Sequence, residues 1–439
     1  MTDLTMRRVF RTWLPLGLSW LLMGIELPAM SAVMARLPTP NISLAAYGGV
    51  VFPIALVIEA PIIMLLSAST ALSKDWASYL KLRRFMWVSG VLLTAVHILV
   101  AFTPLYYILA ERVIGAPQEI VEPARIGLMI MTPWTLAIAS RRFNQGVLIR
   151  FGHAGAVGAG SALRLTTAGI ILFIGYWLGD VAGIVVASVA QACGVIVEGI
   201  FARWMVRPVL RNELRSAPKA APLTWRAFGS YYTPLVFTSL LTFLWMPIAS
   251  AGISRMYLPL ASLAVQPVIG GLAFMMRSMG FAYQEVVVAL LDTPHSSKVI
   301  RRFAGILAVS TVGLHFFFVA TPLSLFWFLD ISNLEPALAE MSQIAFWILL
   351  PVPALATLQS WYQGAILVDG RTRGIPESLV VFMLTAVVIL GIGIVWNPIA
   401  GIYTAMIAFT AANLTQTMWL WYRSRHVMGE INLREELTG

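Results

Sequence analysis

The chain has 439 residues, of which 59% are hydrophobic and only 11% charged, and its formal net charge is +10. A soluble domain carries about 25% charged residues because its surface must face water, so a water-facing globule of this size is excluded. The basic excess lies in the short segments between apolar runs and forms no basic stripe, which excludes a nucleic-acid-binding reading.

A helix crossing the hydrocarbon core needs about 20 largely apolar residues. Twelve such runs follow one another: 11–36, 43–72, 85–103, 120–140, 156–178, 181–205, 229–254, 260–290, 303–322, 340–367, 376–396 and 398–421. The first follows Arg7, Arg8 and Arg11, as in a signal peptide, but it is too long for a signal h-region and contains Glu26, so it reads as a retained helix. Pro28 within it predicts a bend, and Pro247 the same in the seventh run. The sixth run holds the single cysteine, Cys193, which permits no intramolecular disulfide. The strand alternation of a membrane barrel is absent. The predicted fold class is therefore an all-α polytopic membrane protein with about twelve transmembrane helices.

Charge sets the orientation. With the N-terminus placed in the cytosol, 24 of the 30 Lys and Arg residues fall on the cytosolic side, including Arg141, Arg142, Lys219, Arg371 and Arg434. Four (Arg36, Arg112, Arg125 and Arg255) fall outside, and Arg164 and Arg277 lie within helices. The positive-inside rule then predicts two cytosolic termini and an even number of spans in the cytoplasmic (plasma or inner) membrane.

The chain matches itself at an offset of 219 residues, slipping later to 218. Pro15 meets Pro234, Pro28 meets Pro247, Arg36 meets Arg255, and Ser43-Leu44-Ala45 meets Ser262-Leu263-Ala264. After the slip, His97 meets His315, Thr103-Pro104-Leu105 meets Thr321-Pro322-Leu323, and Pro133 meets Pro351. Gln145-Gly146 then meets Gln363-Gly364, and Ala182-Gly183-Ile184 meets Ala400-Gly401-Ile402. Ordered matches of Pro, His, Arg and Gln point to a duplication. The expected organisation is an N-lobe (1–206, helices 1–6), a basic cytosolic linker (207–226) and a C-lobe (227–439, helices 7–12), the lobes being parallel six-helix repeats. Repeats of this kind enclose midplane sites in transporters and rock against each other. The function expected is a secondary transporter or exporter of a small solute.

Several segments carry a family likeness: Pro15-Leu16-Gly17, Ala46-Tyr47-Gly48, Ala95-Val96-His97 through Tyr106-Tyr107, and Pro351-Val352-Pro353. With them the sequence resembles the multidrug/oligosaccharidyl-lipid/polysaccharide (MOP) exporter superfamily, which includes the multidrug and toxic compound extrusion (MATE) proteins. More narrowly it resembles the progressive ankylosis protein family. The resemblance implies a MATE-like fold of two six-helix lobes, alternating access and export. It further implies either a phosphate-rich or carboxylate anion as solute, or a drug exchanged for H⁺ or Na⁺. A flippase for a lipid-linked saccharide belongs to the same superfamily.

Charge inside a membrane helix is expensive and usually faces a cavity or a partner. Glu198 and Glu285 lie near cytosolic helix ends, within reach of headgroups or basic loops, and Arg164 is placed to snorkel. Glu26, Glu59 and Arg277 are deeper. At the 219 offset Arg277 falls opposite Ile58, beside Glu59, so opposite charges hold quasi-equivalent places. The substrate- or ion-binding candidates are Glu26, Glu59, Arg277 and Arg164. Pro28, Pro247, His97, His315, Gln145 and Gln363 are gating or packing candidates, the glycine after each glutamine marking a helix break or a close approach. No cofactor is expected beyond a coupling H⁺ or Na⁺. The expected partners are a small-molecule solute and the lipid bilayer, without nucleic acid, for a chain acting as a monomer. No nucleotide-binding loop, HExxH motif or GxSxG elbow occurs, so no covalent chemistry is expected.

Overall fold

The structure is a computed structural model that describes residues 4–218, 221–291, 296–369, 373–396 and 398–438. Lys219 and Arg371 lie outside the described residues, as does the Arg434 side chain. In chain order the helices are α1 (Met6–Met34), α2 (Pro40–Leu72), α3 (Trp76–Phe102) and α4 (Gln118–Ile130 and Thr132–Arg150). They continue with α5 (Ala154–Leu178), α6 (Gly183–Leu214), α7 (Trp225–Ile253) and α8 (Pro259–Leu290). The last four are α9 (Ser296–Ala320), α10 (Pro336–Ile348 and Val352–Asp369), α11 (Gly374–Trp396) and α12 (Gly401–Thr438). Among the described residues, ten of these segments, all but α4 and α12, are long and apolar enough to cross a membrane. α4 is diluted by Glu119, Glu122, Arg125, Arg141, Arg142 and Arg150, and both it and α12 have crossing length. The chain is an all-α multi-pass membrane protein with about twelve spans.

Breaks in the helices have local causes. α1 is interrupted at Ile25 and resumes at Glu26, because Pro28 offers no N–H to the preceding turn. Pro247, expected to act likewise, leaves α7 helical from Trp225 to Ile253. α4 breaks at Met131 ahead of Pro133, and α10 between Ile348 and Val352 around Pro351. α6 carries on through a π-helical turn to Leu214, so the non-helical part of the linker is shorter than 207–226.

The two halves repeat unusual backbone geometry. Thr39 and Leu258, 219 apart, both stand before the helix-starting prolines of α2 and α8, at φ 52, ψ 57 and φ 53, ψ 56. Gly115 and Asn333, 218 apart, both take positive φ, and the next residue's N–H reaches back to Ala110 or Phe328 at 2.9 Å in each case. The slip between offsets has a structural cause. α2 contains a π-helical turn, Tyr47–Val51, while α8 is α-helical throughout. A π turn holds one extra residue, so beyond Val51 the equivalence is 218. Glu59 and Arg277 therefore stand at equivalent positions.

Two compact units form. Unit one comprises Met1–Ala32 and Arg255–Gly439, and unit two Val33–Ser254. They differ from the sequential halves in one respect: α1 packs within the unit of α8–α12, and α7 within that of α2–α6. The exchange is reciprocal. In unit one the Trp13 indole N–H donates to the Met279 carbonyl at 2.9 Å. In unit two the Tyr232 hydroxyl donates to the Pro61 carbonyl. Trp13 and Tyr232 are 219 apart, and Pro61 and Met279 are 218 apart. Ser239 adds a hydroxyl donor to the Ala60 carbonyl at 2.7 Å; the turn at Met64 leaves that carbonyl free, since the Met64 N–H bonds Ile62 instead. Small residues admit the contacts of α1 with α8. A Cβ on Gly271 would stand 2.8 Å from Pro28 Cδ, and one on Gly24 2.9 Å from Met275 Cγ. Trp13→Phe and Tyr232→Phe should each lower stability by about 0.5–1.5 kcal/mol, one net hydrogen bond. Thermal unfolding in detergent checks this, and melting points equal to wild type would refute it.

Candidate functional site

A line of buried polar side chains runs through unit two. α2 supplies Glu59, α3 His97, α4 Thr135, Arg141 and Gln145, α5 Arg164 with the half-buried Ser161 beside it, and α6 Glu198. Glu59, His97, Thr135 and Glu198 are all 0% exposed.

The break in α4 builds the first part. Interrupting a helix frees carbonyls at the end of its first piece. The Leu128 carbonyl there lies 3.0 Å from His97 Nε2, and because a carbonyl only accepts, Nε2 carries the hydrogen. The other ring nitrogen, Nδ1, lies 2.8 Å from Thr135 Oγ1. Thr135 Oγ1 is in turn 3.2 Å from Glu59 Oε1, and Glu59 Oε2 is buried with no hydrogen-bond partner.

The second part centres on Glu198. Its Oε2 takes Arg141 Nη1 at 2.5 Å and pairs with Arg164 Nε at 3.3 Å. Its Oε1 accepts from Gln145 Nε2 at 2.9 Å and from Ser161 Oγ at 3.2 Å. Arg141 and Gln145 are four apart on α4, so they share a face. Gly160, Gly194 and Gly199 leave room for these side chains at the contact of α5, α6 and α4. Arg142 lies seven residues after Thr135, two helical turns along the same face. It is half-buried and forms no hydrogen bond or ion pair among the described residues.

The structure thus joins Glu59 to His97, and Arg164 to Gln145. Glu198 and Arg164, expected to reach headgroups or to snorkel, are instead buried and paired with each other. Arg141, expected in a cytosolic loop, is buried because α4 continues as helix to Arg150. Gln145-Gly146 and Gln363-Gly364 break no helix; both glycines mark close approaches, of α4 to Ser69 and of α10 to Val287.

Apart from Pro247, which lies on α7 in unit two, the other candidates are in unit one. Arg277 is half-buried, its guanidinium 4.8 Å from the Phe281 ring centre and 5.0 Å from that of Phe409, and its Nε is buried without a hydrogen-bond partner. Glu26 is half-buried at the α1 break, with Pro28 buried beside it, and Gln363 is half-buried on α10. His315 Nε2 lies 3.1 Å from the Phe346 carbonyl, 31 residues on, as Leu128 is from His97. Its ring stacks on Phe346 at 4.2 Å, and its Nδ1 is buried with no partner.

The reading of the sequence missed Thr135, Arg141 and Arg142. Their signal is the contrast between repeats. At offset 218, Thr135 becomes Pro353, Arg141 Gln359, Arg142 Ser360, Arg164 Phe382 and Glu198 Gln416. Gln359 instead donates to the Asn413 carbonyl at 3.2 Å and to Thr417 at 3.1 Å. Unit two carries charge where the equivalent places in unit one are neutral.

No family model matches the chain, and no curated protein matches it in sequence. Solved structures do match. One is the inward-facing conformation of a multidrug resistance MATE family transporter of the MOP superfamily, with 15% identity, TM-score 0.74, and coverage of 93% of this chain and 95% of that one. Another is the lipid II flippase MurJ in an inward closed conformation, with 13% identity, TM-score 0.72, and coverage of 96% and 91%. A third is a MOP superfamily transporter from Pyrococcus furiosus described as having a binding pocket of reversed polarity, with 17% identity, TM-score 0.61, and coverage of 95% and 96%. This chain shares their fold over nearly its whole length.

Proposed function

We propose that this chain, built on the fold of the MOP-superfamily transporters, is a secondary transporter that carries a small solute across the membrane by alternating access. The solute class assigned is an organic or phosphate-rich anion. Arg277 carries this reading. A guanidinium stays charged at every working pH, and a charge within a membrane helix faces a partner or a water-filled cavity. Arg277 has phenyl faces beside it, and no carboxylate pairs with it among the described residues. A fixed, half-exposed cation of this kind attracts an anionic group. Glu26 and Glu59 supply carboxylates for a coupling H⁺ or Na⁺. Both termini lie on the cytosolic side of the cytoplasmic membrane in this reading. A cysteine placed at Arg215 should then label only from the cytosolic face, and labelling only from outside would reverse the topology.

A second reading, a flippase for a lipid-linked saccharide, is favoured by the likeness to MurJ. It is also favoured by an apolar concavity of about 290 Å³ in unit one, lined by Ile348, Pro351, Leu355, Ile407, Thr410, Ala411 and Leu414. Proteoliposomes separate the two. A panel of phosphate-rich and polycarboxylate anions, tested with and without H⁺ or Na⁺ gradients, should include a transported solute. Arg277→Met should cut its transport at least about tenfold, the loss of one charge-assisted contact, with expression unchanged. Normal transport by that variant would remove the anion reading, and movement of a lipid-linked saccharide alone would establish the second.

A further inference from the structure

Counting hydrogens along Glu59, Thr135 and His97 gives an odd result. The Leu128 carbonyl holds the imidazole hydrogen at Nε2, so a neutral His97 presents a lone pair at Nδ1. An ionised Glu59 presents another lone pair at Oε1. Between them stands one hydroxyl, Thr135 Oγ1, 2.8 Å from the first and 3.2 Å from the second. That hydroxyl has a single hydrogen. With a neutral imidazole and a carboxylate, one of the two contacts must set lone pair against lone pair inside a site sealed from water. One additional proton satisfies both.

We propose that Glu59, Thr135 and His97 form a binding site for one proton inside unit two, and that loading it couples H⁺ to transport. The proton has two resting places. On Glu59 it makes a carboxylic acid that donates to Thr135 Oγ1, while the threonine hydrogen goes to His97 Nδ1. On His97 it makes an imidazolium that donates to Thr135 Oγ1, while the threonine hydrogen goes to Glu59 Oε1. Exchange between them breaks the Glu59 O–H and Thr135 O–H bonds and forms the Thr135 O–H and His97 Nδ1–H bonds. Each electron pair stays on the oxygen it leaves, and the total charge is unchanged.

The surroundings suit a proton and no larger cation. Glu59 has no ion pair among the described residues. The charged groups that act on it are Arg141 and Arg142, farther along α4 and beyond ion-pair distance. From α7 the nearby titratable group is the Tyr232 hydroxyl, already committed to the Pro61 carbonyl. From α3 it is His97 itself. A metal ion would be repelled by the two arginines and would find only three side-chain oxygens, the two of Glu59 and the Thr135 hydroxyl, fewer than a hard cation's shell holds, whereas a proton needs one.

The repeat supplies an internal comparison. In unit one the histidine and its carbonyl are kept, as His315 and Phe346. The equivalent of Thr135 is Pro353, which has no hydroxyl, and the equivalent of Glu59 is Arg277, which cannot take up a proton. His315 Nδ1 accordingly faces no partner. The histidine of the repeat is a packing residue at a helix break, and only the first half adds the bridge and the acid.

The coupling rests on the transport reading; the proton site does not, so the two are tested separately. Infrared difference spectra of the membrane-reconstituted protein are taken across a pH series. They should contain the carbonyl band of one buried protonated carboxylic acid. It should vanish in Glu59→Gln, shift in Thr135→Val and return to its place in Thr135→Ser, while His315→Asn leaves it unmoved. Absence from wild type of both this band and an imidazolium signal that His97→Asn removes, survival of the band in Glu59→Gln, or its loss in Glu26→Gln instead would overturn the site. If Glu59→Gln does not fold, the shift in Thr135→Val decides, since a purely structural threonine would leave the band unmoved. In proteoliposomes, solute flux driven by a pH gradient should lose that dependence in Glu59→Gln; retention of it would overturn the coupling. The band without flux of any solute would leave the proton site standing and remove the transport reading.

Discussion

Replacing Gly146 with alanine should destabilise the protein more than any other single methyl addition to a helix interior. A Cβ built at this position would lie 1.8 Å from Ser69 Oγ, 2.4 Å from the Leu66 carbonyl oxygen and 3.0 Å from the Thr70 backbone nitrogen. The last two belong to the backbone of α2, so no rotamer change relieves them. The seam is also a polar one. Ser69 donates to the Phe143 carbonyl at 2.8 Å, Thr70 to the Gly146 carbonyl at 3.2 Å, and Arg150 to the Thr70 carbonyl at 2.9 Å. Prising α4 from α2 to admit a methyl group stretches all of them. Overpacking usually costs about 1–3 kcal/mol, and we expect the upper end or beyond. Gly364→Ala, whose Cβ would meet mainly the Val287 side chain at 2.6 Å, should cost less. Gly169→Ala, with nothing within 4 Å, should change nothing. Thermal unfolding in detergent ranks the three, and a Gly146→Ala melting point within a degree or two of wild type would sink the prediction.

Removing the Glu198 carboxylate should have a similar or larger effect. Glu198→Leu leaves Arg141 and Arg164, with side chains each 9% exposed, charged and without the Glu198 carboxylate. Breaking a buried ion pair on one side costs about 3–5 kcal/mol, because the remaining charge stays desolvated. Here two buried charges lose the same carboxylate by one substitution. The second half shows how the same place is filled without charge, with Gln359, Phe382 and Gln416 at the equivalent positions. The triple variant Arg141→Gln, Arg164→Phe, Glu198→Gln should therefore recover most of the stability lost in Glu198→Leu. A triple variant no more stable than Glu198→Leu would show that the site needs its charges to fold. Its transport rate, where it folds, reads what those charges contribute to function.

The histidines show where reading the sequence ends. The match of His97 with His315 at a fixed offset was legible, and so was its setting near matched prolines. The pattern marked them only as gating or packing candidates; the common part of their role, closing a carbonyl near a helix break, came from the fold. So did what distinguishes them. Thr135 is one of many helix threonines, and only folding brings it between α2 and α3. Arg141 and Arg142 read as loop charges because hydropathy falls where α4 turns inward, and a drop in hydropathy looks the same at a helix end and at a buried ion pair.

By itself the sequence determined the membrane class, about twelve helical spans and the repeat. These depend on composition, run length and ordered matches, all of which are properties of the chain read in one dimension. It also placed Glu59 and Arg277 within one residue of equivalence. Tertiary structure decided the rest. The π turn at Tyr47–Val51 absorbed the one-residue slip and brought Glu59 and Arg277 to the same position. The exchange of α1 and α7 between the compact units brought side-chain donors, Trp13 and Tyr232 among them, to carbonyls more than 170 residues away in the chain. Buried charges found partners on other helices, and the glycines marked where helices touch. Each of these depends on which faces meet in three dimensions, and helices that are apolar nearly all round carry little record of that in their own periodicity.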